Sequence, residues 1–474
     1  MAGEESNGTG IGTGTGTGHG VSVQAPAEPE LVKGMAHENP VVNDSATSEA
    51  PVTATTLASK FQHLSLSAQT IHADDFLNSH QSVAPPMHVS TTFRYNRDPD
   101  ELRPWANINP NNPYDSHVYS RDSAPNTTRL EAVLTSILHG PSLTYSSGLS
   151  AFHALLVLLN PKRVAIGGGY HGCHGVIKLL SKLTGLATVD LDADFDAELQ
   201  PGDVVHVETP LNPTGEARDL AYYADKARKR GCWLTVDATF APPPLQDPFL
   251  WGADVIMHSG TKYFGGHSDM LCGVLTVHPK HADWIRKMRD ERLVLGSVMG
   301  SFEGWLGVRS LRTLEVRVKK QSADALQLVT WLAGALKEKG SLVSESVAEV
   351  KHASLQADAL GEDGWLRKQM PNGFGPVFAV YMKDADDARR LPSKLHLFHH
   401  ATSLGGVESL VEWRAMTDAG VDKRLLRFSI GLEGFEDLRD DLIQGFEALR
   451  AEGAARDAGI KVAGTGGANV VGGA

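Results

Sequence analysis

The segment from Asp254 to Ser268 reads D-V-I-M-H-S-G-T-K-Y-F-G-G-H-S, and one residue in it, Lys262, is a candidate nucleophile. An apolar run, Val255-Ile256-Met257, leads towards the small polar trio Ser259-Gly260-Thr261, and Lys262 follows directly. Burial at the end of a strand disfavours the ammonium form and lowers a lysine's pKa. A neutral lysine amine can attack a carbonyl and form a Schiff base. The hydroxyls of Ser259 and Thr261 stand where they could hold a phosphate beside it. Taken alone, the same residues also describe an ordinary exposed loop lysine, so its partners must be sought along the rest of the chain.

A Schiff-base lysine beside a phosphate cup is how a pyridoxal 5'-phosphate (PLP) site is built, and such a site has four further needs. The first is the cup itself. Tyr145-Ser-Ser-Gly148-Leu149-Ser150 precedes the apolar helix pattern Ala151–Leu159, whose first N–H groups can face an anion; a plain serine N-cap fits equally. The second is a carboxylate for the pyridine nitrogen. Asp237 follows Trp233-Leu-Thr-Val236 and is offered at a strand's carboxyl end, where a turn or capping aspartate is the alternative. The third is a flat ring to lie on the cofactor, and Tyr170 after Gly167-Gly-Gly169 supplies one. The same glycines, read as Gly167-x-Gly169-x-x-Gly172, have dinucleotide-loop spacing, with Asp190 or Asp192 as the only acid near the required distance. The fourth is an anchor for a substrate carboxylate. Arg427 interrupts the apolar run Leu425-Leu-Arg-Phe-Ser-Ile, and a buried arginine needs an anion, either a ligand's or a structural acid's.

These residues need a scaffold that brings strand ends together. Short β-branched runs at Val164–Ile166, Ala187–Leu191, Val204–Val207, Trp233–Val236, Val255–Met257 and Val274–Val277 alternate with helical patterns such as Arg129–His139 and Asp219–Arg230. That alternation predicts an α/β fold with a mostly parallel sheet covered on both faces, and ligands at the carboxyl ends of its strands. From about residue 310 the texture changes. A helical pattern from Leu311 to Lys337, further short strands and a last helix from Glu436 to Arg450 predict a smaller α+β domain. The expected organisation is a low-complexity tail (1–65), an N-terminal arm (66–115), a cofactor-binding domain (116–310), a C-terminal domain (311–455) and a flexible tail (456–474).

Composition narrows the function. A net charge of −12 argues against nucleic acid as a partner. No window approaches the roughly 18 consecutive apolar residues of a membrane-spanning helix, so no membrane partner is expected. The three cysteines, Cys173, Cys232 and Cys272, form no C-x-x-C pair and suit a reducing compartment. His171-Gly-Cys173-His174 is packed too tightly to wrap a metal tetrahedrally, so no metal is expected. The Gly-Thr repeat at Gly8–Gly20 buries too little apolar surface to fold. With Glu4 and Glu5 early and no arginine before Arg94, the start is unlike a mitochondrial presequence, and cytoplasm is expected.

In this order the motifs resemble the Cys/Met-metabolism family of PLP enzymes, the cystathionine γ-synthases, cystathionine lyases, methionine γ-lyases and homoserine-ester sulfhydrylases. The resemblance runs from about Ala68 to Arg450. Its segments are Tyr119-Ser-Arg121, Ser147-Gly148-Leu149, Tyr170, Glu208-Thr-Pro-Leu-Asn212-Pro, Asp237-Ala-Thr-Phe240, Ser259-Gly-Thr-Lys262, Gly266-His-Ser-Asp269, Arg309-Ser-Leu-Arg-Thr-Leu314, Ser403-Leu-Gly-Gly406 and Arg427. It implies a large domain of the aspartate-aminotransferase type (fold type I), with Lys262 as the Schiff-base lysine and Asp237 on the pyridine nitrogen. It also implies Tyr170 stacked on the ring, Asn212 near the phenolic oxygen, and Gly148, Leu149, Ser259 and Thr261 on the phosphate. Ser403 and Arg427 would fix the substrate carboxylate. Tyr119 and Arg121 would reach a neighbouring subunit's phosphate site, which implies a homodimer or homotetramer with shared sites.

The chain departs from the family at several places. Ala124-Pro125-Asn126 stands for the usual N-P-T, Tyr170-His171-Gly172-Cys173 for Y-G-G-T, and Asp237-Ala238 for an aspartate–asparagine pair. At Thr402, γ-synthases and γ-lyases often carry Glu, β-lyases Tyr and methionine γ-lyases an aliphatic residue. Threonine fits none of these patterns and leaves the reaction open; what the resemblance implies is a small amino acid as substrate, and the expected activity is a carbon–sulfur lyase acting on cystathionine or a related thioether. A cystathionine γ-synthase joining an O-acyl-homoserine to cysteine is the alternative, and a catalytically silent scaffold a third.

Overall fold

The computed structural model describes residues 61–78, 82–104, 117–362 and 364–457. Of the low-complexity tail expected over 1–65, residues 1–60 lie outside the described residues, as do residues 458–474 of the tail expected over 456–474. Seven strands, β1 (Ser142–Tyr145), β2 (Arg163–Ile166), β3 (Ala187–Asp190), β4 (Val204–Glu208), β5 (Trp233–Asp237), β6 (Val255–Ser259) and β7 (Gly273–Val277), form one sheet in the order β1-β7-β6-β5-β4-β2-β3. β7 pairs antiparallel with both neighbours, and the remaining pairings are parallel. The six strands expected from β-branched runs are β2 to β7. β1 escapes such a reading because alternate positions are polar: Ser142 bonds the Thr276 hydroxyl at 2.8 Å and Thr144 donates to Glu131 at 2.8 Å.

Parallel neighbours require crossovers. Helix His171–Thr184 links β2 to β3, and helix Leu220–Arg230 links β4 to β5. The second is bounded as its sequence dictates. The Asp219 carboxylate accepts from the N–H of Ala221 at 3.0 Å and of Tyr222 at 3.3 Å, and Gly231 ends the helix with a left-handed φ of 67°. Sheet side chains alternate between two cores. Val204, Val255 and Met257 pack with Ala151 and Leu155, whereas Val205, Val207, Val236 and Ile256 pack with Leu220 and Ala224. Each such Val or Leu contributes about 1.5–3 kcal/mol, which secures a sheet buried on both faces.

The second sheet has β8 (Val347–Lys351), β9 (Val377–Met382), β10 (His399–His400), β11 (Leu410–Trp413) and β12 (Leu425–Ser429) in the order β10-β11-β12-β9-β8. It is antiparallel except at β10 and β11. Leu328 and Leu332 from one helix, and Leu442 and Phe446 from the last, pack with its Phe378 and Phe428. The helix expected from Leu311 to Lys337 is in fact two, Ser301–Leu311 and Leu314–Ala335. The break falls where Arg317 turns back to donate to the carbonyls of Tyr263 at 2.9 Å and Ser310 at 3.0 Å. The final helix runs Phe435–Asp457, beyond the expected end at Arg450. Among the described residues no helix is long and apolar enough to cross a membrane.

Candidate active site

Parallel strands bring their carboxyl ends to one edge, and β4, β5 and β6 end there at Glu208, Asp237 and Ser259. That edge forms one wall of a cavity of about 390 Å³, and the loop Ala401–Gly406 supplies another. Lys262 lies on the turn just beyond β6. Its Nζ donates to Ser403 Oγ at 2.7 Å. Burial, reinforced by the Arg427 charge, lowers the lysine's pKa to about 8 despite the opposing pull of Glu412 and Asp237. The two loops touch because Gly405, at φ +82°, has no Cβ; one there would stand 3.0 Å from the Lys262 carbonyl carbon. A direct pH dependence follows. The neutral fraction of Lys262 falls about tenfold per pH unit below its pKa, so the rate at which the cofactor-free protein captures added pyridoxal phosphate should climb towards pH 8 and then level off. Stopped-flow absorbance measures this, and a rate independent of pH between 6 and 8 contradicts it.

Asp237 and Glu208 stand side by side in register on β5 and β4. Thr239 donates to Asp237 Oδ1 through its N–H at 3.0 Å and its hydroxyl at 2.5 Å; among the described residues nothing donates to Oδ2. Burial raises the Asp237 pKa, against the hydrogen bonds from Thr239 and the charge of Lys262. Glu208 is pushed to about 8, by burial first and then by Asp237. Glu208 accepts from Tyr170 N–H at 2.8 Å and Asn212 N–H at 2.7 Å, so one buried carboxyl ties two candidate residues together. The glycines before and after Tyr170 serve close packing. A Cβ on Gly169 would stand 2.5 Å from Glu208, and one on Gly172 2.6 Å from the Tyr170 ring. Asp192, the candidate acid of the dinucleotide reading, is instead gripped by Arg218 at 2.5 and 3.1 Å.

At another wall, helix Gly148–Leu159 presents its N-terminus, capped by Ser147 Oγ accepting from Ser150 N–H at 3.2 Å. A Cβ on Gly148 would meet Ser259 Oγ at 3.1 Å, so glycine keeps this corner open for an anion. Leu149 and Ser259 line it. Thr261 lines it too, with its hydroxyl also bonded to Cys272, donating to O at 3.3 Å and accepting from N–H at 3.0 Å.

Arg427, nearly sealed from solvent, donates to Asn212 Oδ1 at 3.0 Å, to Ser403 O at 2.9 Å and to Glu412 Oε2 at 2.5 Å. Of the two partners left open by the sequence, a structural acid is thus present: Glu412 lies directly opposite on β11. Burial lowers the Arg427 pKa to about 10, opposed by Glu412, which still leaves it charged near neutrality. Burial works against ionisation of Glu412, yet Arg427, Thr417 and Arg414 hold its pKa below the usual value. Arg414 and Thr417 also line the cavity, together with Thr402; the spacing of Arg414 and Thr417 signalled nothing in the sequence.

The cavity thus gathers Lys262, Asp237, Tyr170, Asn212, Ser403, Arg427 and the Gly148, Leu149, Ser259 and Thr261 corner. Tyr119 and Arg121 lie outside it. Arg121 donates to Leu293 O at 2.9 Å and its guanidinium sits 5.6 Å from the Tyr119 ring centre. Among the described residues no group of three His, Cys, Asp or Glu side chains is placed to hold a metal. The donor set fits pyridoxal phosphate: an open anion corner at a helix N-terminus, a buried carboxylate with one oxygen unclaimed, and a lysine of lowered pKa, all lining one cavity.

A family model described as Cys/Met metabolism PLP-dependent enzyme matches residues 67–447. Cystathionine gamma-lyase of Saccharomyces cerevisiae is 30% identical over 402 residues, covering 80% of this chain and 96% of that protein. Cystathionine gamma-synthase of Mycobacterium bovis is 34% identical over 346 residues, covering 69% and 85%. Among solved structures, cystathionine gamma-lyase from yeast superposes with a TM-score of 0.71 at 28% identity, covering 82% of this chain and 99% of that one.

Proposed function

Because the chain belongs to the Cys/Met metabolism family of PLP-dependent enzymes, we propose that it is a carbon–sulfur lyase eliminating at Cβ or Cγ of cystathionine or a related sulfur amino acid. The observation that carries this reading is Lys262 Nζ, its pKa lowered to about 8, in one cavity with Asp237 and Arg427. Pyridoxal phosphate, when bound, supplies an aldehyde that exchanges amines and a pyridinium that draws electrons from the substrate's Cα.

The chain's own residues then have separable tasks. Lys262 would hold the cofactor through Nζ and, as a free neutral amine, would take the Cα proton. Asp237 offers Oδ2 to the ring nitrogen while Thr239 fixes Oδ1. Tyr170, which lines the same cavity, would lie on the ring and give a proton to the departing sulfur. Asn212 accepts from Arg427 through Oδ1, which leaves Nδ2 to donate to the phenolic oxygen. Gly148, Leu149, Ser259 and Thr261 take the phosphate, and Arg427 with Ser403 takes the α-carboxylate.

A γ-synthase is the second reading, favoured by the similarity to a cystathionine gamma-synthase. Product analysis separates the two. With L-cystathionine alone, either elimination takes up one water: β-elimination releases homocysteine, pyruvate and ammonia, and γ-elimination releases cysteine, 2-oxobutyrate and ammonia. Either keto acid establishes the lyase. Cystathionine formed from an O-acyl-homoserine and cysteine, with little turnover of cystathionine itself, makes it the synthase.

Tyr119 and Arg121, outside their own chain's cavity, are assigned to the phosphate site of a second copy in a homodimer or homotetramer. Arg121→Ala should weaken cofactor affinity at least about tenfold, the worth of one charge-assisted hydrogen bond. Unchanged affinity in a cofactor titration contradicts the shared site. Three unpaired cysteines suit the cytoplasm, which is the compartment assigned.

A further inference from the structure

We propose that Arg414 is a specificity residue, selecting amino acids whose side chain carries a second carboxylate. The inference rests on the reading that Lys262 and Arg427 bind an amino acid. Arg414 begins the short turn Arg414–Met416 directly after β11, borders the cavity, and its side chain is only 4% exposed. Nη1 donates to Glu412 Oε2 at 2.9 Å and to Thr417 Oγ1 at 3.0 Å. The other nitrogens are idle. Nε is buried with no hydrogen-bond partner, and among the described residues Nη2 donates to nothing.

A buried charged donor without an acceptor is unfavourable, so a cation held this way needs a reason. Glu412 cannot supply it further. Its Oε2 already accepts from Arg427 and Arg414, and its Oε1 accepts from Thr417 at 2.7 Å. Arg427 differs from Arg414 in having both Nη atoms engaged. Thr402 brings no charge to the cavity, and Asp237 and Glu208 stand at the strand ends with their own donors. A ligand anion is therefore the chemistry that completes Arg414, and a carboxylate suits its planar fork. The α-carboxylate belongs to Arg427. The anion left for Arg414 is a second one, on the substrate's side chain, and the Arg414 charge also bears on the Tyr170 hydroxyl, where the leaving group departs.

The test is a binding titration that needs no turnover. Full-length, cofactor-loaded enzyme is titrated with L-2-aminoadipate and with L-norleucine, which have equal chain length and differ in a terminal carboxylate against a methyl. The change in the cofactor's absorbance gives each Kd. Wild type should bind aminoadipate at least about tenfold tighter. Arg414→Met should bring the two Kd values together, and Arg414→Lys should keep part of the preference. Equal Kd values in wild type overturn the proposal. So does an Arg414→Met variant that weakens both ligands alike, because Arg414 would then only brace Glu412 and Arg427. No absorbance change with either ligand overturns the amino-acid reading itself, and this proposal with it.

Discussion

Lys262→Ala abolishes turnover, with a fall in kcat of at least about a thousandfold. The variant loses two functions at one atom: the amine that carries the cofactor, and the base that takes the Cα proton. It loses little else, because among the described residues Nζ makes one hydrogen bond, the 2.7 Å bond to Ser403 Oγ, and the turn is held independently by Arg317 on the Tyr263 carbonyl. The anion corner at Gly148 and the Asp237 carboxylate remain, so pyridoxal phosphate still binds, now without a covalent link. Steady-state kinetics with an absorbance scan measure both effects. Activity within tenfold of wild type contradicts the role given to Lys262.

Asp237→Asn lowers kcat by about 10² to 10³, the usual loss when a preorganised charged partner is removed from a water-excluded site. A neutral amide no longer holds a proton on the ring nitrogen. The change also reaches Glu208, whose pKa of about 8 depends on burial and then on the Asp237 charge. Without that charge the Glu208 carboxyl ionises at lower pH. Steady-state kinetics measure the loss of kcat. A kcat within about threefold of wild type contradicts the pyridine-nitrogen assignment.

The sequence carried the large sheet because its strands are buried on both faces and read as β-branched runs; β1, with Ser142 and Thr144 buried in hydrogen bonds, did not. Helix ends were legible where chemistry marks them, as at Asp219 and Gly231. The break at Arg312-Thr313 was not, because no glycine or proline announces it and its cause is Arg317 reaching a loop more than forty residues away. The site divides the same way. Lys262, Asp237, Tyr170, Ser403 and Arg427 belong to local motifs. Glu412 and Arg414 acquire their place from the register of β11 against β12, a tertiary fact that no local spacing encodes. The choice the sequence left open for Arg427, ligand or structural acid, is likewise a matter of register.

The central claim is that Lys262 carries pyridoxal phosphate, and borohydride reduction followed by peptide mapping tests it most directly. Holoenzyme is reduced, digested and analysed by mass spectrometry for the phosphopyridoxyl label. The label should be on the peptide containing Lys262, with little on any other lysine, and prior addition of the substrate should deplete it. A reduced, cofactor-loaded enzyme that carries the label at another lysine, or at none, contradicts the account.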